Sequence, residues 1–207
     1  GTFYKAIGDS TMVWRTKKGD HLKQFLRHDL PWNIMSPIWR TPFVKNKLNG
    51  FDESFPRLQD VEFHTRALLQ KGLEYKIVNN TSPKCFYRID HERTKQSTCQ
   101  YLEGMLSGVE KYLNKFEALL SDVNQIRYLR STLFTIITLI NFKLTHNQIS
   151  LKEYTVLNNR ISKFVKKGRL FSNFSVKILT HYDSLYKKGF WRIKGFNYLF
   201  KQLWEKV

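Results

Sequence analysis

Residues Asn49 to Gly72, NGFDESFPRLQDVEFHTRALLQKG, place a glycine turn, two acidic pairs, a proline and the opening of an apolar-periodic segment in one run. Gly50 permits backbone conformations closed to other residues, Asp52-Glu53 follows in a loop, and Pro56 keeps a helix from starting before about Arg57. Val61 to Lys71 then has helical periodicity, with Gly72 as its stop. Asp60 falls at or near the first helical turn, where unpaired N–H groups and the positive end of the helix dipole attract negative charge. Two readings of Asp60 stay open. It is a local cap or salt-bridge partner, or it is a general base, held on a helix end and aimed into a cleft to take a proton from a substrate hydroxyl. Glu62 and Arg66, four residues apart, read as an ordinary surface pair, and His64 reads as structural.

Outward from this run, the first half of the chain alternates short elements with turn signals. Thr11 to Thr16 is a strand candidate closed by Lys17-Lys-Gly-Asp20, and His21 to Arg27 is a short helical stretch. Leu73 to Val78 alternates apolar and charged residues with period two, ended by Asn79-Asn80, and Lys84 to Ile89 is another strand candidate. From Thr98 onward the spacing changes to three and four, over Tyr101–Leu120, Val123–Leu144, Leu151–Val165, Val176–Tyr186 and Phe196–Trp204. Ser150 with Glu153 makes a capping box, Ser121-Asp122 and Ser172-Asn173 are further start signals, and Gly168 and Gly189 are stops. The expected class is α+β, a mixed segment over residues 1–95 followed by a basic, bundle-like helical extension over 96–207.

Composition narrows the partners without naming one. The 207 residues carry a net charge of +18, with +7 in residues 1–100 and +11 in 101–207. Such an excess draws nucleic acid, anionic membrane or phosphorylated substrates, although a lysine-rich composition produces it with no polyanionic ligand. Cys85 and Cys99 are the only cysteines, which offers neither a zinc ribbon nor a disulfide framework and fits a reduced intracellular compartment. Asn79-Asn80-Thr81, Asn80-Thr81-Ser82 and Asn173-Phe174-Ser175 match the glycosylation acceptor pattern but read as loop residues without a secretory leader. The apolar run Leu133–Phe142 is roughly half the length that crosses a bilayer, so no spanning segment is expected. A nucleic-acid module is disfavoured, since no helix-turn-helix, zinc finger or RNP-type string occurs.

The run from Ile38 to Leu68, IWRTPFVKNKLNGFDESFPRLQDVEFHTRAL, resembles the second half of family 2 glycosyltransferases with the GT-A fold. Those enzymes carry a Gly-Gly-Phe-Asp-Glu-like turn and then Glu-Asp before a helix with a trailing Arg. Asn49-Gly50-Phe51-Asp52-Glu53, Gln59-Asp60, Glu62, Phe63 and Arg66 stand in the matching places, with Gln59 departing from the usual Glu. The resemblance implies that Asp60 is the catalytic base, deprotonating an acceptor hydroxyl as it attacks a nucleotide-sugar with inversion. It also implies acceptor-side binding roles for Trp39, Arg40, Asp52 and Gln59, with Trp32 nearby. Core packing is the competing explanation for both tryptophans. Tyr87-Arg88-Ile89-Asp90-His91 is similar to the family's aromatic-Arg-x-x-His element. Arg88 would then hold the donor diphosphate, and His91 would contact phosphate or ligate the divalent metal, Mn2+ or Mg2+, expected of the complete enzyme. An Arg88–Asp90 pair beside an exposed His91 is the alternative.

The resemblance covers residues 11–92 and only the later half of the family's catalytic domain. The family's Asp-x-Asp metal motif has no counterpart; Asp60-x-Glu62 and Asp90-x-Glu92 lie in the wrong context. The expectation is therefore a fragment whose donor-binding half lies upstream, inactive alone and weak or silent toward nucleotide-sugars. The partners implied are a nucleotide-sugar donor and a glycan or lipid-linked acceptor, in the cytoplasm, with peripheral contact at an anionic inner membrane face. For that last role, Tyr186–Lys194 and Tyr198–Lys206 combine cationic and aromatic residues, while a packed helical seam accounts for most of their aromatics. The alternative function is a non-catalytic basic helical module binding a polyanion, nucleic acid or membrane surface.

Overall fold

The computed structural model describes residues 2–6, 11–78, 85–89, 96–167 and 170–206, with backbone alone for 2–6, 11–14 and 85–89. The chain divides into two compact units, Gly1–Gln96 and Ser97–Val207.

The second unit is built of five helices: α4 (Thr98–Leu119), α5 (Val123–Thr145), α6 (Leu151–Lys167), α7 (Asn173–Lys187) and α8 (Phe196–Lys206), with a 3₁₀ turn at Phe190–Arg192. Their starts are chemically marked. The Ser150 hydroxyl accepts from the Glu153 N–H at 3.2 Å while the Glu153 carboxylate accepts from the Ser150 N–H at 2.7 Å, the reciprocal box expected from the sequence. Asp122 caps α5 through the Asn124 N–H at 2.8 Å, and Ser97 and Ser172 open α4 and α7 with boxes of their own. Gly189, at φ +91, turns the chain out of α7 as expected of a stop residue; Gly168 lies outside the described residues. Helix α5 packs against the other four, which is why its buried positions, Leu129, Leu133, Phe134, Ile136, Ile137 and Ile140, run around much of its circumference. The core closes over Trp204, whose indole N–H donates to the Arg130 carbonyl at 2.8 Å and so satisfies its one donor.

The first unit is differently made. It contains α1 (His21–Leu26), a short helical turn α2 (Thr41–Phe43) running into a π-helical turn at Val44–Leu48, and α3 (Gln59–Leu68). Leu48, Phe63 and Ala67 form a buried cluster, covered by Trp39, Phe43 and Val44. Helix α3 starts two residues before the predicted Val61 and ends at Leu68, ahead of Gly72.

The α+β expectation, with its GT-A-like mixed α/β segment, is overturned. Among the described residues every buried hydrophobic side chain lies on a helix or on a loop beside one, so the fold is helical. Among the described residues, strand geometry is confined to a ribbon of three short backbone segments, β1 (Thr2–Ala6), β2 (Thr11–Trp14) and β3 (Cys85–Ile89), in the order β2-β1-β3. Residues Leu73–Val78, expected as a strand after α3, have no regular structure and are exposed almost throughout. Period-two alternation specifies a strand only when one of its faces is buried. Here neither face is.

Candidate functional site

The geometry around Asp60 follows from two tight backbone events. Asn49 and Gly50 both take left-handed conformations, φ +53 and +71, and the chain reverses there without crowding. Leu58, the residue before α3, is also left-handed at φ +66 and is buried. A bulky residue there costs roughly 1–2 kcal/mol, and the reversal it produces aims Gln59 and Asp60 into the first turn. No side chain caps α3 at Leu58. The Asp60 carboxylate, half-buried, instead accepts from the Val61 N–H at 2.9 Å, one of the helix's unpaired donors. Among the described residues no cation is paired with it.

Glu62 and Arg66 are not a surface pair. The Glu62 side chain is fully buried and that of Arg66 is 18% exposed. The guanidinium donates from Nε to Glu62 Oε1 at 2.7 Å and from Nη2 to Oε2 at 3.0 Å. It also donates to the Gly50 carbonyl at 2.8 Å and to the Leu48 carbonyl. Arg66 therefore fastens the Asn49-Gly50 turn to α3, and the planar fork of its donors suits that task as a lysine would not. Burial of a charge is tolerable because both partners are hydrogen-bonded in full view of one another.

An aromatic cluster lies on the other side of α3. His64 is buried, stacked on Trp39 with centroids 5.8 Å apart, and edge-on to Trp32 at 5.9 Å. Burial in this apolar surround lowers its pKa to about 4, so the ring is neutral at physiological pH. Neither ring nitrogen finds a partner among the described residues, nor do the indole nitrogens of Trp32 and Trp39. His21 sits at the rim. Its Nε2 donates to the Lys17 carbonyl at 2.9 Å, which leaves Nδ1 to accept from the Tyr75 hydroxyl at 2.8 Å.

These positions sort the predicted site residues. Trp39 and Trp32 pack in this cluster, the core alternative. Arg40 is exposed. Asp52 accepts from the Ser54 N–H at 3.1 Å and from its hydroxyl, a turn of the Asx type. Gln59 donates to the Phe55 carbonyl at 2.8 Å, closing the loop that leads into α3. Both contacts shape the approach to Asp60. The Arg88 side chain, Asp90 and His91 lie outside the described residues. Among the described residues no group of three or more His, Cys, Asp or Glu side chains converges to hold a metal, and His91, the ligand implied by the resemblance, is not one of those residues. Sequence reading missed the turn-fastening role of Arg66. Its one available signal was that Glu62 sits between two apolar residues, Val61 and Phe63, four residues before an arginine. Comparison with protein-family models, with curated proteins and with solved structures finds no match for the chain.

Proposed function

We propose that the chain carries the acceptor-activating part of an inverting family 2-type glycosyltransferase, with Asp60 as general base. The Asp60 carboxylate takes the proton of an acceptor hydroxyl on a glycan or lipid-linked sugar. The hydroxyl oxygen bonds to the anomeric carbon of a nucleotide-sugar, and the nucleoside diphosphate departs with the electrons of the broken bond. The observation that carries this reading is the state of Asp60: half-buried at the start of α3, hydrogen-bonded to Val61 alone among the contacts described above, and with no cation paired to it among the described residues. Glu62, the fully buried carboxylate of the same unit, is instead held in a bidentate clasp with Arg66. Leu58, left-handed immediately before α3, and Gln59, bonded to the Phe55 carbonyl, hold the chain that leads to Asp60, a rigidity a positioned base requires. A cytoplasmic setting belongs to the same proposal. No described helix is long and apolar enough to cross a membrane.

The test is transfer itself. In the protein that carries this chain, nucleoside diphosphate release is followed with uridine and guanosine sugar nucleotides, manganese and hydroxyl acceptors. Asp60→Asn is expected to lower turnover by roughly 10²–10⁴-fold, the range of a general base; turnover near normal removes Asp60 from the mechanism.

A further inference from the structure

The end of the second unit carries an apolar surface that its own core does not use. On α8, Phe196 and Trp204 face inward and are buried. Tyr198, Leu199 and Leu203 are instead 69%, 57% and 41% exposed, Leu199 and Leu203 flanking the buried stripe and Tyr198 on the far side of the helix. Just upstream, Phe190 and Ile193 are exposed on and after the 3₁₀ turn. The packed seam thus accounts for Tyr186, Phe196 and Trp204 and leaves these five residues in water. An apolar surface that spreads this far beyond the buried stripe is more than a soluble bundle needs. Beside them an open groove of about 510 Å³ is lined by Phe134, Phe142, Tyr186, Trp191, Tyr198 and Lys201.

The charge around this surface has one sign. Residues 186–206 hold six Lys and Arg and a single acid, Glu205. Glu205 is turned inward, where the Ser131 hydroxyl donates to it. Lys188, Lys194 and Lys206 are exposed at the margins of the apolar face, and Arg192 lies over the Trp191 ring at 5.2 Å. Exposed aliphatic and aromatic groups framed by cations match the interface of an anionic bilayer, where rings sit at headgroup depth and lysines meet phosphate. No described helix is long enough to span a bilayer, so the helix would lie in the plane of the surface.

We propose that Phe190–Lys206 is a peripheral docking surface for anionic phospholipid. It lies wholly within the second unit and does not rest on the chemistry proposed for Asp60. The test is co-sedimentation of the full chain with phosphatidylglycerol–phosphatidylcholine vesicles and with pure phosphatidylcholine, alongside Trp191 emission. Binding to the anionic vesicles, with a blue shift of the emission, is expected, and little binding to the neutral ones. A combined Tyr198→Ser, Leu199→Ser and Leu203→Ser variant is expected to lose tenfold or more in partitioning, and Lys188→Gln with Lys194→Gln a similar factor. Helical circular dichroism of each variant shows whether the fold is kept. If a variant unfolds, the milder Leu199→Ala takes its place and is expected to weaken binding several-fold. Equal binding by the serine variant and the parent overturns the proposal. So does binding to heparin or nucleic acid without vesicle binding, or a concentration-dependent dimer that the serine substitutions abolish while vesicles remain unbound.

Discussion

The two units hold themselves together by different physics. In the second, α4 to α7 are each started by a side-chain cap and pack their apolar residues around the central α5; ion pairs such as Arg160–Glu110 at 2.6 Å stay partly exposed. In the first, helices are short, three non-glycine residues among those described (His28, Asn49 and Leu58) take left-handed backbone conformations against one described residue, Asn147, in the second, and a buried ion pair holds a turn 16 to 18 residues away from its arginine. Local signals set the helices of the second unit, and long-range polar contacts such as Ser131 to Glu205 and Trp204 to the Arg130 carbonyl join them. The first depends on non-local polar contacts, each of which becomes costly when one partner is lost.

The largest expected effect separates the units directly. Arg66→Ala leaves Glu62 charged and buried, a change that costs about 3–5 kcal/mol. Hydrogen exchange should then show loss of protection in α3 while α4 and α5 keep theirs; equal loss in both units would erase the distinction. The next effect is a pH dependence confined to the first unit. His64 binds protons more weakly folded, with a pKa of about 4, than unfolded, near 6.5, so its contribution is full above pH 6.5 and declines as pH falls toward 4. The slope reaches about 1.4 kcal/mol per pH unit. Denaturation midpoints of the parent minus those of His64→Phe should carry this slope, and a flat difference would mean the ring is hydrated. The smallest effect belongs to the second unit: Ser150→Ala removes one cap and costs about 1 kcal/mol, read as a modest shift in its unfolding midpoint.

The same contrast explains what the sequence made legible. The helices of the second unit were readable to within a few residues, because capping and three–four spacing are local signals, and Ser150 with Glu153 declares itself in four residues. The first unit misled at the points where burial decides. Leu73–Val78 has the alternation of a strand but no core to face. Glu62 and Arg66 have the spacing of a surface pair, and only the carbonyls of Leu48 and Gly50 make them a buried clasp. Asp60 lay between these cases: its place at a helix start was readable, whereas its freedom from a cationic partner among the described residues required the folded turn around it.

Whether Asp60 is a base or only a cap is best decided by one paired measurement, transfer turnover and hydrogen-exchange protection of α3 on the same Asp60→Asn protein. Asparagine can still accept from the Val61 N–H but cannot take up the acceptor's proton. The expected result is turnover lowered by roughly 10²–10⁴-fold with α3 protection and the KM for acceptor unchanged. Turnover that stays near the parent value, or that falls only in step with a loss of α3 protection, would contradict it.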